Sequence, residues 1–272
     1  MNTVRTTPPR PIDVTALVPA LTPLARTATR LHPRPGSPTV HDSSVGGPLL
    51  WPTHHQWPHC EKWHEGARQP MIPVAQLYAR DVPQLRAPGR ADLLQILWCP
   101  SEEHAPDYKP TTYVFWRTAA DVTQVLTEPP RPSEPTSWYV PEPCVLAPEQ
   151  VTEYPHVLEL SEELRQAIAE EPGEEVYMDE LSVAPGWKVG GWTRWGLTDP
   201  APRFCIHCGT RMTPLLTIAS DEWHPDNRSW IPYEDQAQDA DANPPGVTVI
   251  DANHLQLYVC PKHPGDHTDL VQ

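Results

Sequence analysis

Proline limits what this chain can fold into more than any other feature. It occupies 37 of the 272 positions and recurs along the whole sequence, whereas an ordinary protein contains about 5% proline. Because each proline fixes its own φ and lacks a backbone N–H, long helices and long central strands are disfavoured. The 11 tryptophans and 8 tyrosines still supply apolar area for a core, which argues against disorder. We therefore expect short strands joined by rigid turns; a helix bundle is excluded, and a large parallel sheet is not expected.

An internal duplication organises the chain. Two segments contain, in the same order, a Gly-Gly turn with tryptophan, a cysteine, a Met-x-Pro strand and a strand that ends in Cys-Pro. In the first copy these features lie at Val45–Pro52, Cys60, Pro70–Leu77 and Asp92–Pro100. In the second copy they lie at Lys188–Trp195, Cys205–Ile218 and Asn253–Pro261. The repeated order predicts two halves with the same strand arrangement.

The predicted fold is α+β, dominated by antiparallel β structure, with two pseudo-equivalent β-rich halves and short connecting helices. The expected division is an N-terminal helix and strand on the core (1–36), a first half (37–150), a connecting strand and helix (151–182) and a second half with a zinc knuckle (183–272). Asp13 and Ser161 are expected to cap helices, the second of them Glu162–Glu170. Ala119–Leu126 is also expected to be helical.

The second copy carries a metal-ligand pattern. Cys205-x2-Cys208 is followed by Gly209, and Cys260-x2-His263 follows at the end of a predicted strand. Two-residue spacing lets both thiolates of a pair reach one ion, and glycine permits the turn behind them. The pattern predicts a closed, structural Cys3His zinc site. The alternative is a redox pair or disulfide between Cys205 and Cys208, for which no thioredoxin-like context is seen.

The first copy offers a looser pattern at the equivalent places. Cys60-x3-His64 and Cys99-x4-His104 predict a second, Cys2His2 zinc site. Other residues near these pairs could substitute as ligands, namely His54, His55, His59, Glu65, Glu102 and Glu103. The alternative is a decayed site whose cysteines are ordinary buried thiols. Cys144 has no partner in either pattern and is interpreted as a small core residue.

Several of these motifs together resemble the YwqG-like bacterial proteins, a family of unknown function. They are the Gly-Gly-x-Pro-x-x-Trp-Pro run Gly46–Pro52, the strand Pro70–Leu77, the VGGW element Val189–Trp192 and the CxxCG-x-x-M run Cys205–Met212. The resemblance covers most of the chain and implies a duplicated, β-rich, cytoplasmic protein. It also implies an immunity role for some members, which lie near polymorphic toxin genes. It implies no catalytic residues.

Charge narrows the classes of partner. With 20 basic against 35 acidic residues the formal net charge is −15, so nucleic acid and anionic membranes are not expected as partners. A basic protein partner would be attracted. No apolar stretch suits a membrane span or a secretory signal, so we expect a reducing, cytoplasmic location in which the cysteines are thiols or metal ligands.

Three functional hypotheses follow. The first is a non-catalytic, zinc-stabilised binding protein, such as an immunity-type inhibitor of a basic partner; it rests on the acidic charge, the closed ligand set and the lack of a catalytic motif. The second is a zinc-dependent hydrolase with an open coordination position at the first site. The third is a binder of a small molecule or sugar lined by tryptophans such as Trp187, Trp192 and Trp195.

Overall fold

The described strands range from two to seven residues, and prolines lie within two of the longest, at Pro73 and Pro214. The computed structural model describes residues 4–62, 64, 68–101, 109–133, 135–236 and 240–272. Their strands are β1 (Arg26–Arg30), β2 (Arg34–Pro35), β3 (Ser44–Val45), β4 (Ile72–Tyr78), β5 (Leu93–Cys99), β6 (Thr111–Arg117), β7 (Cys144–Val145), β8 (Glu149–Glu153), β9 (Lys188–Gly190), β10 (Thr213–Ala219), β11 (His254–Val259) and β12 (His267–Val271).

The described strands form two six-stranded antiparallel sheets, which confirms the predicted β-dominated α+β class. The first sheet has the order β2-β7-β3-β4-β5-β6, and the second has the order β8-β1-β9-β10-β11-β12. In each sheet, four strands that are consecutive in the chain lie side by side, β3 to β6 in the first sheet and β9 to β12 in the second. Two further strands lie at one side of each set, β2 and β7 in the first sheet and β8 and β1 in the second.

The two sheets repeat the same register. Gln76 lies opposite Gln95 in the first sheet, and Thr217 lies opposite Gln256 at the matching place in the second. Both β4 and β10 also shift register just after a proline, Pro73 and Pro214 respectively, because proline cannot donate to the sheet and the strand bulges there. A shared irregularity at one position is strong evidence that the halves are pseudo-equivalent.

The two halves exchange their first strands. The strands β1 to β6 form one copy of the repeated order, and β7 to β12 form the other. β1 pairs with β9 in the second sheet, whereas its counterpart β7 pairs with β3 in the first sheet. The next strands, β2 and β8, then lie at the edges of opposite sheets. Each sheet is thus completed by a strand from the other copy.

One core joins the sheets. Side chains from both pack in a single buried cluster that includes Val45, Ile96, Leu216 and Leu257. This arrangement gives the two halves a common interior in place of a linker.

Short helices and helical turns connect the strands. They are α1 (Val14–Leu17), α2 (Glu162–Glu170) and α3 (Glu174–Val176), with a π-helical turn at Tyr177–Ser182 and 3₁₀ turns at Pro19–Leu24, Ala119–Asp121, Ser137–Tyr139, Val157–Glu159, Pro225–Trp230 and Tyr233–Asp235. Asp13 and Ser161 accept hydrogen bonds from the first turns of α1 and α2, as predicted. The helix expected at Ala119–Leu126 is wrong: only the 3₁₀ turn forms, and the chain then extends so that Val125 bridges to Pro52.

Candidate metal centres

The second copy positions its cysteines at a hairpin tip and at a neighbouring strand end. Phe204 bridges to Arg211, and the tight turn between them is closed by the Gly209 N–H, which donates to the Cys205 carbonyl at 2.8 Å. Gly209 has φ +64°, a left-handed conformation that glycine adopts freely. The turn after β11 carries Cys260 and His263 towards this tip.

Four ligand atoms converge there. The Sγ atoms of Cys205, Cys208 and Cys260 and a ring nitrogen of His263 all lie within 4.8 Å of one another. Cys208 Sγ is 3.6 Å from Cys260 Sγ, and Cys205 Sγ is 3.7 Å from His263 Nδ1. Cys205 and Cys260 are buried, whereas Cys208 is at the surface. These residues could hold a metal ion.

Backbone and hydroxyl donors surround the sulfurs. The His263 N–H donates to Cys260 Sγ at 3.3 Å. The Thr210 hydroxyl and N–H donate to Cys208 and lower the pKa of its thiol to about 6. Such donors stabilise sulfur as thiolate, which is the form that binds metal.

Asp266 adds a carboxylate that the sequence patterns did not reveal. Its Oδ2 lies 3.1 Å from Cys205 Sγ and 2.5 Å from His207 Nδ1, so Cys205, His207 and Asp266 form a second, overlapping group of ligand type. Burial and this carboxylate raise the pKa of the Cys205 thiol to about 12. The only sequence signal was its position in the turn that already contains His263.

The first copy brings together three of its four predicted ligands. Cys60, His64 and Cys99 lie within 4.8 Å of one another, with Cys99 Sγ 3.7 Å from His64 Nε2. Contact with Cys60, together with burial, raises the pKa of the Cys99 thiol. The fourth predicted ligand, His104, lies outside the described residues, as do the possible substitutes Glu65, Glu102 and Glu103.

The two hairpins differ in their tips. His59 bridges to Pro70 at the place where Phe204 bridges to Arg211, so Cys60 corresponds to Cys205. More residues separate His59 from Pro70 than separate Phe204 from Arg211. In the first group, His64 is the residue that corresponds to Cys208. Cys144 lies apart from both groups, buried on β7 in the shared core, where burial raises its pKa to about 12.

The second half also buries charge where the first half is apolar or neutral. Lys188 occupies the position of Ser44 and donates to the Glu153 carboxylate at 2.6 and 2.8 Å and to the Trp192 carbonyl. Glu153 also accepts N–H bonds from Ala184 and Trp192. This buried pair is therefore fully hydrogen-bonded, which is the condition under which a buried ion pair is tolerated.

A cavity of about 170 Å³ lies beside this pair, lined in part by Arg194, Ala219 and His254. Leu50, Tyr78 and Leu93 hold the matching positions of the first half and pack in an apolar cluster. Replacement of a tyrosine by alanine opens the space, and the arginine and histidine make it polar. His254 is partly buried, and its buried Nε2 has no hydrogen-bond partner among the described residues.

Comparison with known proteins leaves the chain without a relative on which to base its function. No protein-family model matches it, and a search of curated proteins likewise found no match. Within the part of the chain that the structure describes, no helix has both the length and the apolarity needed to cross a membrane. Function is therefore argued from the sites themselves.

Proposed function

We propose that this chain is a non-catalytic binding protein whose second half is stabilised by a zinc ion on Cys205, Cys208, Cys260 and His263. The observation that carries the proposal is the convergence of these four ligand atoms within 4.8 Å of one another. Three sulfurs and one imidazole complete a tetrahedral shell and leave no position for a reactive water, which is typical of structural zinc.

The distances fit such an ion. With Zn–S of about 2.3 Å and Zn–N of about 2.0 Å, a tetrahedral Cys3His centre separates its sulfurs by about 3.8 Å and sulfur from nitrogen by about 3.5 Å. The measured separations of 3.6 Å between Cys208 and Cys260 and 3.7 Å between Cys205 and His263 are close to these values. Zinc there would tie the hairpin tip to the end of β11.

The tip offers a surface for a partner. Ile206 is 90% exposed and Phe204 is 57% exposed, on either side of the buried Cys205. Exposed apolar side chains held rigidly are typical of contact sites. The net charge of −15 favours a basic protein partner through long-range attraction. The proposal also includes a cytoplasmic, immunity-type role, which the resemblance to YwqG-like proteins implies for some members of that family.

Metal content tests the zinc site. Purified chain is expected to carry one tightly held zinc ion in the second half. It is expected to carry a second zinc ion if Cys60, His64 and Cys99 also bind one. Cys208→Ser should lose the tight zinc and melt at a lower temperature, because structural zinc contributes directly to folding. Cys144→Ala is the matched control for zinc content, since Cys144 belongs to neither group, and because this cysteine is buried in the core its melting temperature is not used for the comparison. Elemental analysis that finds full zinc in Cys208→Ser would contradict the assignment.

Partner binding is tested separately. The chain should associate with a basic protein at a rate that falls steeply as salt rises, because the attraction is screened within about 8 Å at physiological ionic strength. Ile206→Ser, which removes the apolar contact without changing the charge, should weaken the complex while zinc content stays unchanged. An association that is insensitive both to salt and to this substitution would count against the acidic binding protein.

A zinc hydrolase at the first group is the second candidate. The observation in its favour is that Cys60, His64 and Cys99 converge within 4.8 Å of one another. If His104, which lies outside the described residues, is not a ligand, these three would leave a zinc ion with one open position, as in catalytic sites. Metal-dependent hydrolysis that Cys60→Ser abolishes and Cys208→Ser spares would support it. Absence of turnover in zinc-loaded protein would favour the binding protein.

A further inference from the structure

A small cavity beside the second hairpin differs from its surroundings in charge. It has a volume of about 190 Å³ and is lined by Arg26, Arg203 and Arg211 together with Glu159, Trp192 and Trp195. Three guanidinium groups and one carboxylate leave a local surplus of positive charge in a chain whose net charge is −15. This cavity is separate from the ligand atoms of both candidate metal centres.

The arginines are poorly neutralised. The nearest ion pair joins Arg211 Nη2 and Glu159 Oε1 at 4.0 Å, the limit of such a contact. Arg203 forms no ion pair with a described residue, and its buried Nε has no hydrogen-bond partner among them. The Trp195 indole faces the Glu159 carboxylate without a hydrogen bond of good geometry. A buried guanidinium N–H without an acceptor is unfavourable unless a ligand supplies one.

The first half provides an internal comparison. β3 pairs with β7 in the first sheet as β9 pairs with β1 in the second. When these two pairs are aligned by register, Arg26 stands at the position of Pro141. The bridges of the two hairpins match Arg211 with Pro70. The Met212 N–H donates to the Arg203 carbonyl as the Met71 N–H donates to the Pro58 carbonyl, so Arg203 matches Pro58. All three arginines therefore stand where the other half has proline.

The aromatic lining follows the same rule. Trp192 stands where the first half has Pro48, and Arg26 stacks on its ring at 3.3 Å from the centroid. Tyr258 replaces Leu97, and its hydroxyl lies 3.0 Å from that of Thr193, which replaces Leu49. The matching cavity of the first half contains Pro48 and Pro141 and is lined mainly by proline. Its lining also includes Arg131, which matches none of the three arginines. Because the first half completes the same fold with proline at all three matched positions, packing does not require the arginines.

We propose that the cavity of Arg26, Arg203 and Arg211 binds a small organic anion. Arg203 and Arg211 would hold a carboxylate or phosphate group by charge-assisted hydrogen bonds. The apolar part of the ligand would lie against Trp195 and Met212, which also line the cavity. A volume of about 190 Å³ admits a ligand of the size of a single substituted ring and excludes a folded peptide segment.

Calorimetric titration of the full, zinc-loaded chain tests the proposal. Phenyl phosphate is expected to bind, inorganic phosphate to bind more weakly, and benzyl alcohol not to bind. Arg203→Gln and Arg211→Gln should each weaken phenyl phosphate binding by about tenfold, since each removes charge-assisted hydrogen bonds. Arg90→Gln, at an exposed arginine of the first half, is the matched control and should bind as the unaltered chain does.

Several outcomes would overturn the assignment. They are no binding of phenyl phosphate at millimolar concentration, unchanged binding in both arginine variants, equal affinity for inorganic phosphate, or tighter binding of a tetraglutamate peptide. Arg211 is largely exposed, so Arg211→Gln is expected to fold even if Arg203→Gln does not. Zinc content and melting temperature, measured on each variant, separate a lost anion site from a lost metal site.

Discussion

Differences between matched residues carry the chemistry of this molecule. Leu93 holds a core position in the first half, and His254 holds the matching position in the second. In the same way, Leu50 corresponds to Arg194. Burial, aided by the positive charges of Arg194 and Lys188, lowers the pKa of His254 to about 3. The folded chain therefore holds this imidazole neutral over a wide range of pH.

The histidine makes stability depend on pH in a defined direction. The unfolded chain binds a proton at His254 below pH 6.5, whereas the folded chain does not until about pH 3. Stability is therefore lost as pH falls through this window, by about 2 kcal/mol between pH 7 and pH 5. His254→Leu, the residue of the first half, should remove that part of the loss.

Urea unfolding at pH 7 and pH 5 measures the effect on zinc-loaded protein. His41→Gln, at an exposed histidine, is the control and should keep the full pH dependence. A His254→Leu variant with the same loss between the two pH values as the unaltered chain would show that His254 is protonated in the folded state.

At the same scale, the sequence predicted most of the residues that could hold a metal ion and little of the remaining chemistry. Regular spacing identified Cys205, Cys208, Cys260 and His263, because cysteine pairs carry a recognisable signal. Nothing in local spacing identifies Asp266 or Arg203, since each acts through neighbours that the fold brings from distant segments. Only residue-by-residue alignment of the two copies would have shown arginine in the place of proline.

Among the elements, the glycine turn after β3 is tightly constrained by backbone atoms. Gly46 has φ +64°, and a Cβ there would lie 2.6 Å from the Pro141 carbonyl oxygen and 2.7 Å from that of Glu142. This turn therefore fixes the close approach of the segment that leads into β7. Conformation and contact both require glycine.

Gly46→Ala should lower the free energy of unfolding by about 2–4 kcal/mol, the combined effect of a strained φ and of backbone displacement. Gly89→Ala is the matched control: its φ is +57°, and a Cβ would meet nothing within 4 Å. It should lose only about 1 kcal/mol. Thermal or urea unfolding of both variants measures the difference, and equal losses would mean that β7 can move away.

The duplicated motifs predicted the long strands and missed the short ones. β4, β5, β10 and β11 carry the repeated sequences and repeat their register. β2 and β7 have two residues each, too few to show a period-2 pattern, so the strand exchange had no sequence signal. In Ala119–Leu126, Val122 and Val125 are three residues apart, a spacing that fits a helix as well as a short extended bridge, so the sequence does not distinguish the two.

For the whole molecule, the shared core predicts a single unfolding transition. Buried side chains of both sheets form one cluster, and each sheet contains a strand of the other copy, so neither half can lose its structure alone. Near-ultraviolet circular dichroism and the alkylation of buried Cys144 should report the same melting temperature. Two separated transitions would show that the halves unfold independently.

The exchanged strands also bear on how such a chain could arise and be divided. Residues 26–117 contain six strands in the same order as residues 144–271, and each set inserts its first strand into the sheet of the other. A single-copy ancestor with this topology would have been an obligate homodimer held together by reciprocal strand donation. Gene fusion then links the two subunits through the segment between β6 and β7. Two polypeptides separated in that segment should reconstitute the molecule by complementation.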